Sequence, residues 1–336
     1  MATKPLFLTN IMKTLFALSF ATLYGFTIHL LFLFFQGLLE IMSITFLALV
    51  PWGIGYLTVA LSDKEKMRSS WNAFFRPWLS SLALLVITIL VNTEGAICWI
   101  MIFPFFALFA GLGGSVARYV MLRKDKIRAE GDSNILDDVD DWGPPNSLKS
   151  TLLLMLPLAL GLVEGDRTQT QKTSTVECSI VLETAPAVVW AQLLRTPHLL
   201  TMDTRGIFTR TLDFPRHLST TLDTAALGGK RIATYERGLV FEETITQYEP
   251  ERYMELDIYT DPAKVPPTVL DEHIVVGGKY IHSLIDRYRL EPLSNGGCKV
   301  TLTGQYTINT PINWYCNLWA RWVVTEMLEG TLGIRG

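Results

Sequence analysis

The sequence has no CxxC pair. Its four cysteines, Cys98, Cys178, Cys298 and Cys316, stand far apart, which excludes the common zinc and redox spacings and leaves buried thiols as the expectation. It has no strong charge of either sign: 29 Lys and Arg against 32 Asp and Glu leave −3, so nothing favours nucleic acid as a partner. It has no G-x-S-x-G elbow, no H-E-x-x-H, no P-loop and no dinucleotide fingerprint. The sequence therefore assigns no catalytic residue, no cofactor and no metal. Two Gly-Gly-Lys triplets, at 228–230 and 277–279, lack P-loop spacing and read as turns. His198, His217 and His273 fall in loop-like sequence and are expected to be exposed rather than ligating. The acidic stretch 130–141 lacks the alternating ligands of an EF-hand and reads as a solvated loop.

Long apolar runs, by contrast, are abundant, and they crowd the first half of the 336 residues. A helix needs about 20 mostly apolar residues to cross a bilayer. Residues 14–36, 41–61, 78–93 and 96–117 meet that description, and 150–163 is a shorter candidate interrupted by Pro157. Residues 1–165 thus read as a membrane region with four to five transmembrane helices. The first run lacks a small-residue cleavage site and reads as a retained anchor. Polar residues at bilayer depth are few, with His29 expected to face a neighbouring helix.

Lys and Arg in short loops set orientation. Lys4 and Lys13 precede the first run; Lys64, Lys66, Arg68 and Arg76 follow the second; Arg118, Arg123, Lys124, Lys126, Arg128 and Lys149 follow the fourth. The intervening loops, around Glu40 and at 92–95, carry neither residue. This alternation puts the N-terminus in the cytoplasm. If 150–163 crosses fully, everything from 164 onward lies outside the cytoplasm; if it is re-entrant, that half lies inside.

From 175 the pattern changes to period-two alternation, the mark of half-buried strands. In TVECSIVLE (175–183), Val176, Cys178, Ile180 and Leu182 share a face. TAPAVVWAQLL (184–194) follows with a capping Thr184, a first-turn Pro186 and helical apolar spacing. Residues 195–228 suggest only a short helix and loops. Strands are predicted at 229–236, 239–248, 253–260, 279–291 and 298–308, with a long Pro/Gly-marked loop at 261–278. A final helix begins at Thr310-Pro311 and carries three tryptophans in nine residues, Trp314, Trp319 and Trp322.

SIVLETAPAVVWAQL (179–193) resembles the opening strand and helix of the START-like (SRPBCC, polyketide cyclase and lipid-transfer) superfamily. FEETITQYEPERYMELDI (241–258) resembles its central hairpin, and DRYRLEPLSNGGCKVTLTGQY (286–306) its final strand pair. The resemblance covers about 174–330, and the whole layout is similar to bacterial membrane proteins of unassigned role that fuse several N-terminal spans to such a domain. It implies an α+β helix-grip domain, a curved antiparallel sheet closed by a long C-terminal helix, behind an α-helical polytopic membrane region. It also implies a hydrophobic cavity and a place in the bacterial inner membrane, but no reaction, because carriers, sensors and enzymes share the fold.

Strand parity gives a cavity-lining set. Phe241 and Glu243 share a face with Leu239 and Ile245; Tyr280, His282, Asp286 and Tyr288 share one with Leu284 and Leu290; Tyr306 joins Cys298, Val300, Leu302 and Ile308. Glu243, His282 and Asp286 are thus expected inward, either satisfying each other, a tyrosine or the backbone, or meeting a ligand headgroup, or acting as acid and base. On the last helix, Asn313, Asn317, Arg321 and Thr325 form a polar stripe, too polar for a further crossing. Tyr315, Trp319, Trp322 and Val323 are expected to pack on the sheet and roof the cavity, or Trp314 and Trp322 to dip into a bilayer surface. The functions left open are binding or transfer of a lipid or other hydrophobic molecule, catalysis on an apolar substrate with Glu243 or His282 as acid/base, and a sensory or structural role with a filled cavity. A lipid or hydrophobic ligand and a membrane are the expected partners; a protein partner is not legible.

Overall fold

The apolar runs of the first half fold as helices in the computed structural model, which describes residues 6–35, 37–91, 93–130, 147–194, 205–261, 264–265 and 276–333. By internal contacts the chain separates into two units, Met1–Thr93 with Trp99–Gln169, and Glu94–Cys98 with Thr170–Gly336. All but the first residue of the acidic stretch 130–141, His198, His273 and most of the 261–278 loop lie outside the described residues.

The first unit is helical. It contains α1 (Leu6–Phe34), a π-helical turn at Thr45–Leu49 running into α2 (Val50–Ala60), short α3 (Lys64–Met67) and α4 (Ser70–Phe75), then α5 (Pro77–Leu90), α6 (Ala96–Glu130) and α7 (Ser147–Glu164). Three segments, Met12–Phe34, Ser70–Leu90 and Ile97–Arg128, are long and apolar enough to cross a membrane. The run at 41–61 is a shorter helix than expected, Thr45–Ala60, because residues 37–43 are taken up in turns. Pro157 lies inside α7 and does not end it; one missing backbone donor is tolerated where neighbours surround a helix.

Close backbone approach organises this unit. A Cβ on Gly55 would sit 1.8 Å from the Ala110 carbonyl oxygen, and one on Gly113 only 2.0 Å from that of Trp52, so α2 and α6 meet through glycines. The Thr58 and Ser80 hydroxyls lie 2.9 Å apart, joining α2 to α5, and Thr22 donates to the Ser80 carbonyl at 3.2 Å. His29 is buried with its ring 6.0 Å from Phe46. Glu164, at the end of α7, accepts from the Ile44 and Thr45 amides at 2.7 and 2.8 Å, closing the exposed donors where the π turn begins.

The second unit carries β1 (Thr170–Leu182), α8 (Pro186–Leu194), α9 (Ile207–Thr211), β2 (His217–Leu222), β3 (Lys230–Tyr235), β4 (Val240–Glu249), β5 (Tyr253–Tyr259), β6 (Ile281–Pro292), β7 (Cys298–Thr310) and α10 (Asn313–Leu332). Among the described residues the strands form one seven-stranded sheet in the order β1-β7-β6-β5-β4-β3-β2. Every pairing is antiparallel. This curved sheet with a long terminal helix is the helix-grip arrangement.

Two strands depart from expectation. β2 has the sequence HLSTTL, whose central Ser-Thr-Thr hides the alternation that would mark a strand. β1 begins at Thr170, not 175, because its polar first half pairs with residues 305–310 through the backbone, which needs no apolar alternation. Both Gly-Gly-Lys triplets are turns whose first glycine has a positive φ, 81° at Gly228 and 83° at Gly277.

Candidate functional site

The inner face of the sheet can be read strand by strand from the register. Gly304 on β7 faces the helix: a Cβ there would lie 3.1 Å from Val324 and 3.4 Å from Leu328. Its neighbours in register are Val176 on β1 and Asp286 on β6. Asp286 in turn opposes Leu256 on β5, which opposes Ile245 on β4. Two positions along, Ile258 opposes Glu243, which opposes Arg231 on β3, which opposes Leu222 on β2. Leu256, Ile245, Met254, Val300 and Leu302 are almost wholly buried on this face. The wall is apolar, and a small set of charged and hydroxyl groups is set into it.

Arg231 anchors that set. Its Nε donates to Glu243 at 2.5 Å, Nη1 to the Leu193 carbonyl at 3.1 Å and Nη2 to the Tyr288 hydroxyl at 3.4 Å. Its guanidinium also lies over the Tyr288 ring, 5.5 Å from the centroid. Arg231 and Glu243 are each 6% exposed, so the pair is buried. Burial works against the Arg231 charge, but Tyr288 and Glu243 hold the guanidinium above its ordinary value. Burial pushes Glu243 up against the pull of Arg231, and it pushes the Tyr288 hydroxyl up to about 12. Tyr235, on the same face of β3, is raised by burial and by Glu243, and its ring meets Phe241 edge-on at 5.2 Å and His217 at 5.1 Å. His217 therefore belongs to β2 and this face rather than to an exposed loop, with its Nε2 2.8 Å from the Thr220 hydroxyl and its pKa lowered by burial and by Arg231.

Asp286 stands apart. Among the described residues its carboxylate has no hydrogen-bond or ion-pair partner; one oxygen lies 3.4 Å from where a Gly304 Cβ would be. It is only half-buried, although fully buried Leu256 flanks it and Val324 and Leu328 lie above Gly304. Burial, then the nearby Glu243 charge, pushes it up to about 7, with Arg231 pulling the other way. Tyr235 is half-buried in the same way.

The remaining expected lining residues divide. Phe241, Tyr288 and Tyr306 are buried on the inner face. A β-bulge between Ile281 and Ser283 puts Ile281 opposite Ile308, so the extra residue removes Tyr280 from the parity of Leu284. Tyr280 is buried just before the strand beside Lys279, 6.0 Å from its ring centroid; the His282 side chain lies outside the described residues.

On α10 the expected faces are rotated. Cys316, Ala320, Val324 and Leu328 pack against the core of the sheet, and the two asparagines of the polar stripe bond to β1 and β7. Asn313 is buried, accepts from the Thr310 amide at 2.9 Å and donates to the Thr170 carbonyl; Asn317 accepts from the Tyr306 hydroxyl at 2.9 Å. Small residues let helix and sheet approach, and the asparagines satisfy polar groups there that would otherwise be unpaired. Trp319 and Trp322 stack on Phe208 of α9, at 5.4 and 4.2 Å, rather than on the sheet. Trp314 and Trp322 remain 61% and 54% exposed.

Arg231 and Tyr235 carry much of the polar set and are absent from the parity set drawn from sequence. The alternation of KRIATY, with Arg231, Ala233 and Tyr235 on one face, is the signal that finds them. Among the described residues no group of three His, Cys, Asp or Glu side chains is placed to hold a metal ion.

The sequence matches no family model and no curated protein. Solved structures similar to part of it include truncated norcoclaurine synthase from Thalictrum flavum, 11% identical with a TM-score of 0.31, covering 49% of this chain and 92% of that one. Ginseng major latex-like protein 151 from Panax ginseng is 12% identical with a TM-score of 0.30, covering 48% and 92%. A Mesorhizobium loti protein is 16% identical with a TM-score of 0.28, covering 48% and 96%.

Proposed function

We propose that this is a membrane-anchored protein whose helix-grip domain, about 174–330, binds or transfers a lipid or other hydrophobic small molecule between sheet and C-terminal helix. The observation that carries the reading is the state of Asp286 and Tyr235. Both lie among buried neighbours on an apolar wall, yet both keep accessible surface. Accessible surface at that depth supports a hollow between sheet and helix, and an apolar hollow with a few convergent polar groups suits an amphipathic ligand.

Residues 1–165 serve as the anchor in this reading. Three helices have the length and apolarity for crossing, and Phe16, Leu23, Leu82, Leu90 and Leu108 turn outward, as lipid-facing residues do. Five residues separate Glu164 from Thr170, so the domain is tied close to the bilayer from which such a ligand would come. In this reading the shorter helices Thr45–Ala60 and α7 also cross, making five, and the Lys/Arg pattern supports an N-terminus in the cytoplasm and the domain outside it. A reporter fused after Gly336 that gives a cytoplasmic signal overturns that topology.

Native mass spectrometry of the full chain, gently extracted in detergent, tests the binding function. Bound lipid or another hydrophobic species is expected. Its consistent absence favours the alternative of a sensory or structural domain filled by its own side chains. The enzyme alternative with Glu243 as base loses ground, because that carboxylate is held by Arg231.

A further inference from the structure

We infer that Asp286 is the recognition point for a ligand carrying a protonated amine on an apolar body. The inference rests on the binding reading above and names the chemistry of the headgroup. It follows from which groups of the inner face are engaged and which are not. All three nitrogens of Arg231 are turned to partners: Glu243, the Leu193 carbonyl and Tyr288. Glu243 is neutralised by that same guanidinium at 2.5 Å. The Arg231 donors are thus taken, and among the described residues of the cluster an anionic headgroup would find no free positive charge to meet it.

Asp286 is the reverse case: a carboxylate without a hydrogen-bond or ion-pair partner among the described residues, and still accessible. Gly304 beside it is where α10 comes closest: a Cβ there would meet Val324 at 3.1 Å and the Asp286 oxygen and Leu328 at 3.4 Å, so the carboxylate sits at the seam of sheet and helix. The described residues around it are these. β4 offers Glu243, β3 offers Arg231 and Tyr235, β6 offers Tyr288, β5 offers Leu256, and α10 offers Val324 and Leu328. Two acids against one base leave the cluster one positive charge short when Asp286 is ionised. A primary ammonium supplies that charge and three donors, while its apolar body lies against the partly buried Leu284 and Val324 side chains.

Octylamine, 1-octanol and octanoate serve as probes of equal length and different headgroup. They are titrated into the full chain and its Asp286→Asn variant in the same detergent, with empty micelles as the blank. Octylamine is expected to bind the wild type about tenfold more tightly than octanoate, and Asp286→Asn to remove about that factor for the amine while leaving octanol unchanged. Amine affinity should also rise with pH through about 7 in the wild type, where Asp286 ionises and an alkylammonium stays charged, and be flat in the variant. Equal or tighter binding of octanoate, or an amine affinity untouched by Asp286→Asn, overturns the headgroup assignment while the cavity stands. Failure of all three probes to bind removes the cavity reading and the inference with it. Unchanged octanol binding in the variant certifies that it is folded.

Discussion

Each unit of the chain takes a carboxylate out of bulk water, and the two are treated in opposite ways. In the helical unit Glu164 accepts from the Ile44 amide, the Thr45 amide and, at 2.6 Å, the Thr168 hydroxyl. It is a structural acid, with its acceptor sites filled by groups that need an acceptor. In the sheet unit Asp286 is half-buried among apolar neighbours and, among the described residues, lacks the partners. Folding alone gives no reason to keep an ionisable group there, because an unpaired carboxylate at that depth weakens the fold. The contrast separates a carboxylate whose acceptor sites are filled from one whose acceptor sites are open.

The largest effect expected concerns the pair beside Asp286. Arg231→Met leaves Glu243 buried without its counter-charge, and the sheet unit should lose about 3–5 kcal/mol. The helical unit has an ion pair of the other kind, Arg68 to Asp125 at 2.9 Å, with Arg68 62% exposed. Arg68→Ala should change stability by less than about 1 kcal/mol. Thermal unfolding of the full chain in detergent reads both; comparable losses would mean that the inner-face pair is solvated. Glu164→Ala comes next. It orphans two backbone donors and should cost about 1–3 kcal/mol, seen as faster hydrogen exchange confined to the start of the π turn and the end of α7. Exchange unchanged at Ile44 and Thr45 would remove Glu164 from its structural role.

Asp286→Asn should act in the opposite direction. The folded value of about 7 lies above an unfolded value near 4, so the unfolded chain gives up its proton first and stability falls as pH rises between them. Asparagine carries no such penalty. The variant should therefore be more stable than wild type above pH 7, by on the order of 1 kcal/mol given the partial exposure of the group, and equal to it at about pH 4. A variant less stable at every pH would mean that the Asp286 carboxylate is bonded after all.

The sequence shows the helical first half, the antiparallel second half and the closing helix because each depends on local periodicity. Parity along one strand likewise puts Glu243 and Asp286 on the same face as Ile245 and Leu284. What parity cannot show is which side chain two strands away will neutralise Glu243. That partner, Arg231, is set by register across β3 and β4. Nor can it anticipate a bulge: one extra residue near His282 reverses the faces of everything before it. The α10 faces are hidden for a related reason. Helical spacing identifies a tryptophan arc and an asparagine stripe, and hydrophobicity turns the arc inward. Contact distance decides otherwise, because Cys316, Ala320 and Gly304 allow a close fit that tryptophans would prevent.

That rotation gives the smallest and most discriminating effect. Asn313 and Trp314 are adjacent, and hydrophobicity ranks the tryptophan as the core residue. Asn313 accepts from the Thr310 amide and hydroxyl and donates to Thr170, tying the helix start to the first residue of β1. Asn313→Ala should cost about 2 kcal/mol by leaving those groups buried and unpaired. Trp314 is largely exposed and its ring meets the edge of Tyr315 at 5.7 Å, so Trp314→Ala should change stability by no more than about 0.5 kcal/mol. Were Trp314 a roof over the cavity, the same substitution would cost about 3–5 kcal/mol. The two arrangements differ several-fold on a single unfolding measurement, and a large loss from Trp314→Ala would return the tryptophans to the sheet.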